Sequence, residues 1–252
     1  MIRGLITAIR TLSIIPVIGK DADDFSSSII WFPFVGFLLG GTLFLFVKAG
    51  LLFGNHYKTL SFLCVFLSAV LTRAIHLDGV ADFADGFFGG YTKEKILLIM
   101  KDSNIGTFGA LALIFVVFFK WLGFLYLIES GHYVLIVPIY IASRFVMSDL
   151  SVRLTYARDN GTGKPFATSA RMAHLIGALL FSFILSLLFG VFGLSILFVG
   201  YIISIILGLY FKRKIGGITG DLLGASCEIS ETVLLILLIF VLPYLHNVEV
   251  FF

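Results

Sequence analysis

Apolar positions run unbroken through much of this chain, and the polar ones gather at the breaks. Seven stretches are long and apolar enough to cross about 30 Å of hydrocarbon as helices: 29–50, 59–76, 107–128, 133–150, 174–191, 194–211 and 232–247. The fifth and sixth are parted only by "FGVFGLS", which predicts a tight hairpin. The first residues read differently. In "MIRGLITAIRTLSIIPVIGK", Ile2, Leu5, Ile9 and Leu12 recur at helical spacing while Arg3 and Arg10 lie off that stripe. Arg10 interrupts the apolar run and no small-residue cleavage site precedes "DADD", so an interfacial amphipathic helix is expected rather than a signal peptide. The pattern predicts an all-α fold: one polytopic membrane bundle, a single integral-membrane domain over residues 1–252, in contact with membrane lipid.

Composition supports this. Hydrophobic residues make up 59% of the chain and charged ones 13%, about half the charged share of a soluble domain. Basic residues concentrate in alternate connections. The N-terminal segment (Arg3, Arg10, Lys20) and the loops after the second, fourth and sixth stretches hold thirteen, against Lys58 alone on the other side. That bias predicts a cytoplasmic N-terminus and an exterior C-terminus. No basic run interleaved with aromatics appears, which excludes nucleic acid as the expected partner. Cys64 and Cys227 form no CxxC pattern and imply neither a disulfide framework nor a zinc site.

The chemistry sits in two acidic motifs. "HLDGVADFADGFFGG" places Asp78, Asp82 and Asp85 at i, i+4 and i+7, within roughly 60° of helical arc if the second helix continues past His76. Three carboxylates so close favour a cation between them, and oxygen ligands select Mg²⁺, with Mn²⁺ or Ca²⁺ as alternatives. The plainer reading is an acidic, solvated helix end. His76 either orients an aspartate or rests at the interface; it is grouped with the substrate-binding candidates. Gly79 and Ala81 are expected to leave space for a polar ligand.

The second motif, "GGITGDLLGASCEISE", puts Asp221, Gly224, Glu228 and Glu231 on one face of a helix starting near Thr219, within about 80°. Gly217 and Gly220 suit a loop whose N–H groups meet a phosphate, though an ordinary capped turn also fits. Between the motifs, Lys101, Ser103 and Asn104 either hold phosphate or cap the next helix. Arg158 belongs to a loop explained equally by phosphate binding or by the positive-inside rule. Arg144 lies inside a predicted span and needs a partner, either Asp149 or one of the motif acids. Acids for a divalent metal, bases for phosphates and glycines for close approach describe a phosphoryl-transfer site.

Together "HLDGVADFADG", "KDSNIGTFG", "YARDNGTG" and "GGITGDLLGASCEISE" closely resemble the cobalamin synthase family, the adenosylcobinamide-GDP ribazoletransferases, over nearly the whole chain. The "NGTG" stretch departs from the family's more usual "GLG"-like sequence. The resemblance implies a Mg²⁺-dependent enzyme of the bacterial cytoplasmic (inner) membrane, its active site facing the cytoplasm. It would join adenosylcobinamide-GDP to α-ribazole or its 5′-phosphate and release GMP. Asp78, Asp82, Asp85, Asp221, Glu228 and Glu231 are the expected metal ligands, with Asp82, Asp85 and Glu228 as catalytic candidates. Association with other late-pathway cobalamin enzymes and a homo-oligomer are further expectations. Two rivals stand beside this reading. A CDP-alcohol phosphotransferase would need a D-x-x-D-G-x-x-A-R arrangement that the first motif does not meet. A cation-coupled transporter would place acids mid-span, whereas here they are expected at span ends.

Overall fold

The computed structural model describes residues 2–161 and 163–244, and every structural statement below is made of them. Eleven α-helices account for nearly all of the architecture. They are α1 (Ile2–Leu12), α2 (Phe32–Gly50), α3 (Tyr57–Leu71), α4 (Ile75–Gly89), α5 (Lys93–Ile99), α6 (Thr107–Glu129), α7 (Ile136–Arg153), α8 (Lys164–Thr168), α9 (Met172–Leu187), α10 (Gly190–Ile215) and α11 (Gly220–Val241). The one β-type pairing is an isolated bridge between Tyr156 and Ile218.

The centre of the bundle is α7, buried along nearly its whole length and packed by α2, α9, α10 and α11. Its sequence explains the position. Ser143, Arg144, Ser148, Asp149 and Ser151 project from successive turns, and a helix polar on several sides cannot face lipid. Asp149 is held by Arg153 one turn on, which donates from Nε at 2.7 Å, and by the Ser204 hydroxyl of α10. The outer helices turn large apolar side chains outward, among them Phe66, Ile114, Phe118, Ile184, Phe198 and Leu209. An apolar exterior around a polar centre is the arrangement of a multi-pass membrane protein.

Five helical segments are long and apolar enough to cross a bilayer, and a sixth if α3 and α4 count as one broken span. Seven spans are not confirmed. The expected fifth span is α9, whose 16 residues rise about 24 Å, short of the hydrocarbon thickness. The tight α9–α10 hairpin is present, turning through Leu188 and Phe189. Residues 245–247 of the seventh expected span, and the expectation for the C-terminus, fall outside the described residues.

The second stretch departs most from expectation. Helix α3 stops at Leu71, and α4 leaves at 90° to it. Arg73 and Ala74, both at φ +55°, make the corner, a conformation costly for residues with a Cβ. The corner is tied down where the Arg73 guanidinium donates to the Arg10 carbonyl at 2.8 Å. Helix α1 packs on residues 25–31 and α2 through Gly4, Thr7, Ala8 and Leu12, while Ile2 is exposed. Arg3 pairs with Asp23 and Arg10 with Asp21.

Candidate active site

Helix α4, with three carboxylates in eight residues, is set apart from the spans and packs between the start of α11 and the start of α6. It is one continuous helix, so Asp78, Asp82 and Asp85 do share a face. Their environments differ. Asp85 accepts from the Gly106 amide at 2.7 Å and the Gly109 amide at 2.8 Å. Both carboxylate oxygens therefore satisfy the free N–H groups at the start of α6, a helix whose own N-cap residue, Gly106, has no side chain. A Cβ at Gly106 or Gly109 would strike that carboxylate, which accounts for the glycines of "NIGTFG". Ser103 and Asn104 do not cap α6. Asn104 donates instead to Asp102, by its backbone at 3.0 Å and its side chain at 2.8 Å.

This arrangement assigns Asp85 a tethering task. Asp85→Ala should lower stability by about 1–3 kcal/mol, because two amides at a helix start lose their acceptor. A thermal melt of the purified protein checks this. A wild-type melting temperature with lost activity would return Asp85 to the chemistry alone.

The carboxylates of Asp78 and Asp82 carry no hydrogen bond or ion pair among the described residues, although the Asp78 amide donates to the Ala74 carbonyl. They line a cavity of about 590 Å³ together with Asp85, Lys101, Ser103 and Asn104. Burial, then the carboxylates of Asp221 and Asp78, push the Asp82 carboxyl up to about 7, against a smaller opposing pull from Arg158. Asp221 is supplied by α11, which starts where the Thr219 side chain accepts from the Leu222 amide. Asp221 is paired with Arg158 at 2.6 Å. The Tyr156–Ile218 bridge makes that pairing, since Ala157 donates to the Ile218 carbonyl and Ile218 to that of Thr155. Lys101 and Arg158 also line a neighbouring cleft of about 500 Å³ with Lys93 and Asn160.

Several expected roles are corrected. Gly79 leaves no room for a ligand: a Cβ there would meet the Asp221 carbonyl, so the glycine lets α4 and α11 touch. Gly224 likewise faces His76, whose Cα a Cβ would meet at 3.1 Å. Gly217 lies against the Thr155 carbonyl rather than opening a phosphate loop, and Gly220 begins α11 beside Gly163.

Glu228 and Glu231 are not at a span end. They point into the bundle, two and three turns into α11, and are almost fully buried. Lys120 of α6 donates to Glu228 at 2.7 Å and to Glu231 at 2.6 Å. Arg144 pairs with Glu231 and stacks over the Tyr140 ring at 4.8 Å. Arg144's partner is thus Glu231 and not Asp149. Two cations and two carboxylates form a neutral set, so the six acids do not converge on one point. No three acids, histidines or cysteines among the described residues form a ready-made metal cage. His76 is buried between this set and a further cavity, with neither ring nitrogen bonded.

Comparison with known proteins agrees with this constellation. The family model described as cobalamin-5-phosphate synthase matches residues 4–239. Proteins named adenosylcobinamide-GDP ribazoletransferase from Chlorobaculum parvum and Chlorobaculum tepidum are each 44% identical, over 92% of this chain and 92% of the relative. One from Syntrophobacter fumaroxidans is 40% identical over 84% of this chain and 86% of its own length. No solved structure matches. The chain belongs to the cobalamin-5-phosphate synthase family.

Proposed function

We propose that this protein is the transferase of late cobalamin synthesis that joins adenosylcobinamide-GDP to α-ribazole or its 5′-phosphate and releases GMP, with Asp78 and Asp82 at the reacting centre. The observation that carries the reading is that these two carboxylates alone, of the six expected, are uncommitted, and that they front a cavity lined by Lys101. Asp85 is spent on α6, Asp221 on Arg158, and Glu228 and Glu231 on Lys120 and Arg144.

The acidic pocket fits a hard divalent cation. Mg²⁺ is commonly held by one or two carboxylates plus substrate phosphate oxygens, which needs no preformed protein cage. Asp82 would hold it together with substrate phosphate oxygens, leaving Asp78 free, and it would neutralise the diphosphate and polarise the reacting phosphorus. The chain's own groups do the rest. Lys101 and Arg158 face phosphate oxygens from the adjoining cleft. The ribose 3′-hydroxyl oxygen bonds to the cobinamide-side phosphorus, and the P–O–P linkage breaks with its electron pair leaving on GMP. The hydroxyl proton passes to a carboxylate, for which Asp78 is placed. Purified protein given adenosylcobinamide-GDP, ribazole phosphate and Mg²⁺ should release GMP; none released with folded protein would reject the reading.

The site lies at the end of the bundle that also holds the starts of α6 and α11. The distribution of basic residues supports a cytoplasmic placement of that end in the inner membrane. Reporter fusions within residues 86–95 should report the cytoplasm, and a fusion after Phe252 the exterior. A reversed result at 86–95 would put the acids on the wrong face.

A transporter is disfavoured on new grounds. Its mid-span acids do exist here, as Glu228 and Glu231, but both are paired with buried cations.

A further inference from the structure

A second cavity, of about 480 Å³, lies on the other side of α4 from the diphosphate pocket, between α1, α4, α7, α8 and α11. Its walls include Leu12, Phe32, Ile75, Met147, Phe166 and Leu223. Phe32 and Phe166 approach with ring centroids 5.9 Å apart. Asp78 lines both cavities, which places them on either side of that residue. His76 also lines this second one. Its Nδ1 and Nε2 are buried and neither has a partner, although buried polar atoms are nearly always hydrogen-bonded.

We propose that this cavity is the nucleoside subsite, and that His76 donates a hydrogen bond to the unsubstituted ring nitrogen of the benzimidazole base. The assignment rests on the transferase reading above. Three features select this substrate. The volume lies in the range of roughly 300–1,000 Å³ that encloses a small molecule, and a corrin macrocycle with its amide arms exceeds it. Leu12, Phe32, Ile75, Met147, Phe166 and Leu223 give it the apolar, aromatic wall that a dimethylbenzimidazole requires, and Thr11, Arg73, Asp78 and Asp221 complete its polar lining beside His76. The polar offer also matches. Guanine presents several donors and acceptors along its edge, whereas a ribazole base has one acceptor nitrogen and no donor. The unpartnered imidazole N–H of His76 serves that acceptor, and Thr11, Arg73, Asp78 and Asp221 remain for the ribose hydroxyls. With the base seated by His76, the ribose reaches Asp78, where the diphosphate pocket delivers the phosphorus. The 3′-hydroxyl is then presented to the carboxylate without either substrate crossing the other's pocket.

The test uses full-length protein in detergent and two ligands: α-ribazole, and the α-riboside of 5,6-dimethylindole, in which a CH replaces the acceptor nitrogen. Affinity is measured by calorimetry, and KM by GMP release. Wild type should bind the indole riboside at least about tenfold more weakly, since the buried donor is left unpaired. His76→Phe should bind both nucleosides alike, with the KM for adenosylcobinamide-GDP unchanged. Equal wild-type affinity for the two ribosides would overturn the assignment without involving any variant. So would retained discrimination in His76→Phe. Wild type that neither binds α-ribazole nor releases GMP would reject the transferase reading itself, which separates the two failures.

Discussion

Replacing Lys120 by methionine should destabilise the protein by about 3–5 kcal/mol, the range seen when one member of a buried ion pair is removed. The ammonium is 2% exposed and bridges Glu228 and Glu231. Without it, one carboxylate loses its counter-charge and two acids a turn apart on α11 face each other in a low-dielectric interior. The neutral design makes the effect separable from lost packing. Lys120→Met leaves the set at one negative charge, and Glu228→Gln leaves it at one positive. The double variant is neutral again and should recover more than half of the lost stability. Melting temperatures of the two single variants and the double, in one detergent, decide this. An unchanged melt for Lys120→Met would show that the charges are solvated and the set is not structural.

Lys120 marks the limit of what the sequence alone specifies. It is a lone cation in the middle of a 23-residue apolar helix, as conspicuous in the sequence as Arg144. Its partners lie more than a hundred residues away, so no local spacing connects them. Arg144 has two candidate partners in the sequence, and only packing separates them. Asp149 already had Arg153 at i+4, a local pair that does show in the sequence. The helical phases of both acidic motifs held because α4 and α11 are unbroken, and Thr219 is the N-cap expected of it. The corner at Arg73 and Ala74 is not legible in the sequence, since neither residue is a proline or glycine and the contact that ties it, from Arg73 to the Arg10 carbonyl, spans 63 residues. The glycines stood at the right places for another reason. Gly79 admits a neighbouring helix, not a ligand. Likewise three close aspartates were easy to see, but which of them was free depended on a distant stretch, "NIGTFG", coming to rest on Asp85.

The largest loss of activity is expected at Asp82. It is central on the acidic face, uncommitted, and surrounded by Asp78, Asp85 and Asp221. Asp82→Asn keeps the size and removes the charge. Turnover should fall at least about 100-fold, which corresponds to roughly 3 kcal/mol of transition-state stabilisation, with no loss of melting temperature. Stability should if anything rise, because the substitution relieves repulsion among the acids. Asp221→Asn should behave differently from Asp82→Asn, since it frees Arg158 rather than removing a free carboxylate. The pH dependence follows from the same crowding. With the Asp82 carboxyl pushed up to about 7, proton and cation compete for it below that pH. The Mg²⁺ concentration giving half-maximal rate should therefore climb as pH falls from about 8 to about 6, approaching tenfold per unit below 7. In Asp82→Asn that climb should flatten, because the competing proton is gone. Single-turnover GMP release across Mg²⁺ and pH measures both effects. A wild-type Mg²⁺ requirement indifferent to pH, or near-normal turnover in Asp82→Asn at saturating Mg²⁺, would remove Asp82 from the reacting centre and leave Asp78 as the one free carboxylate on that face.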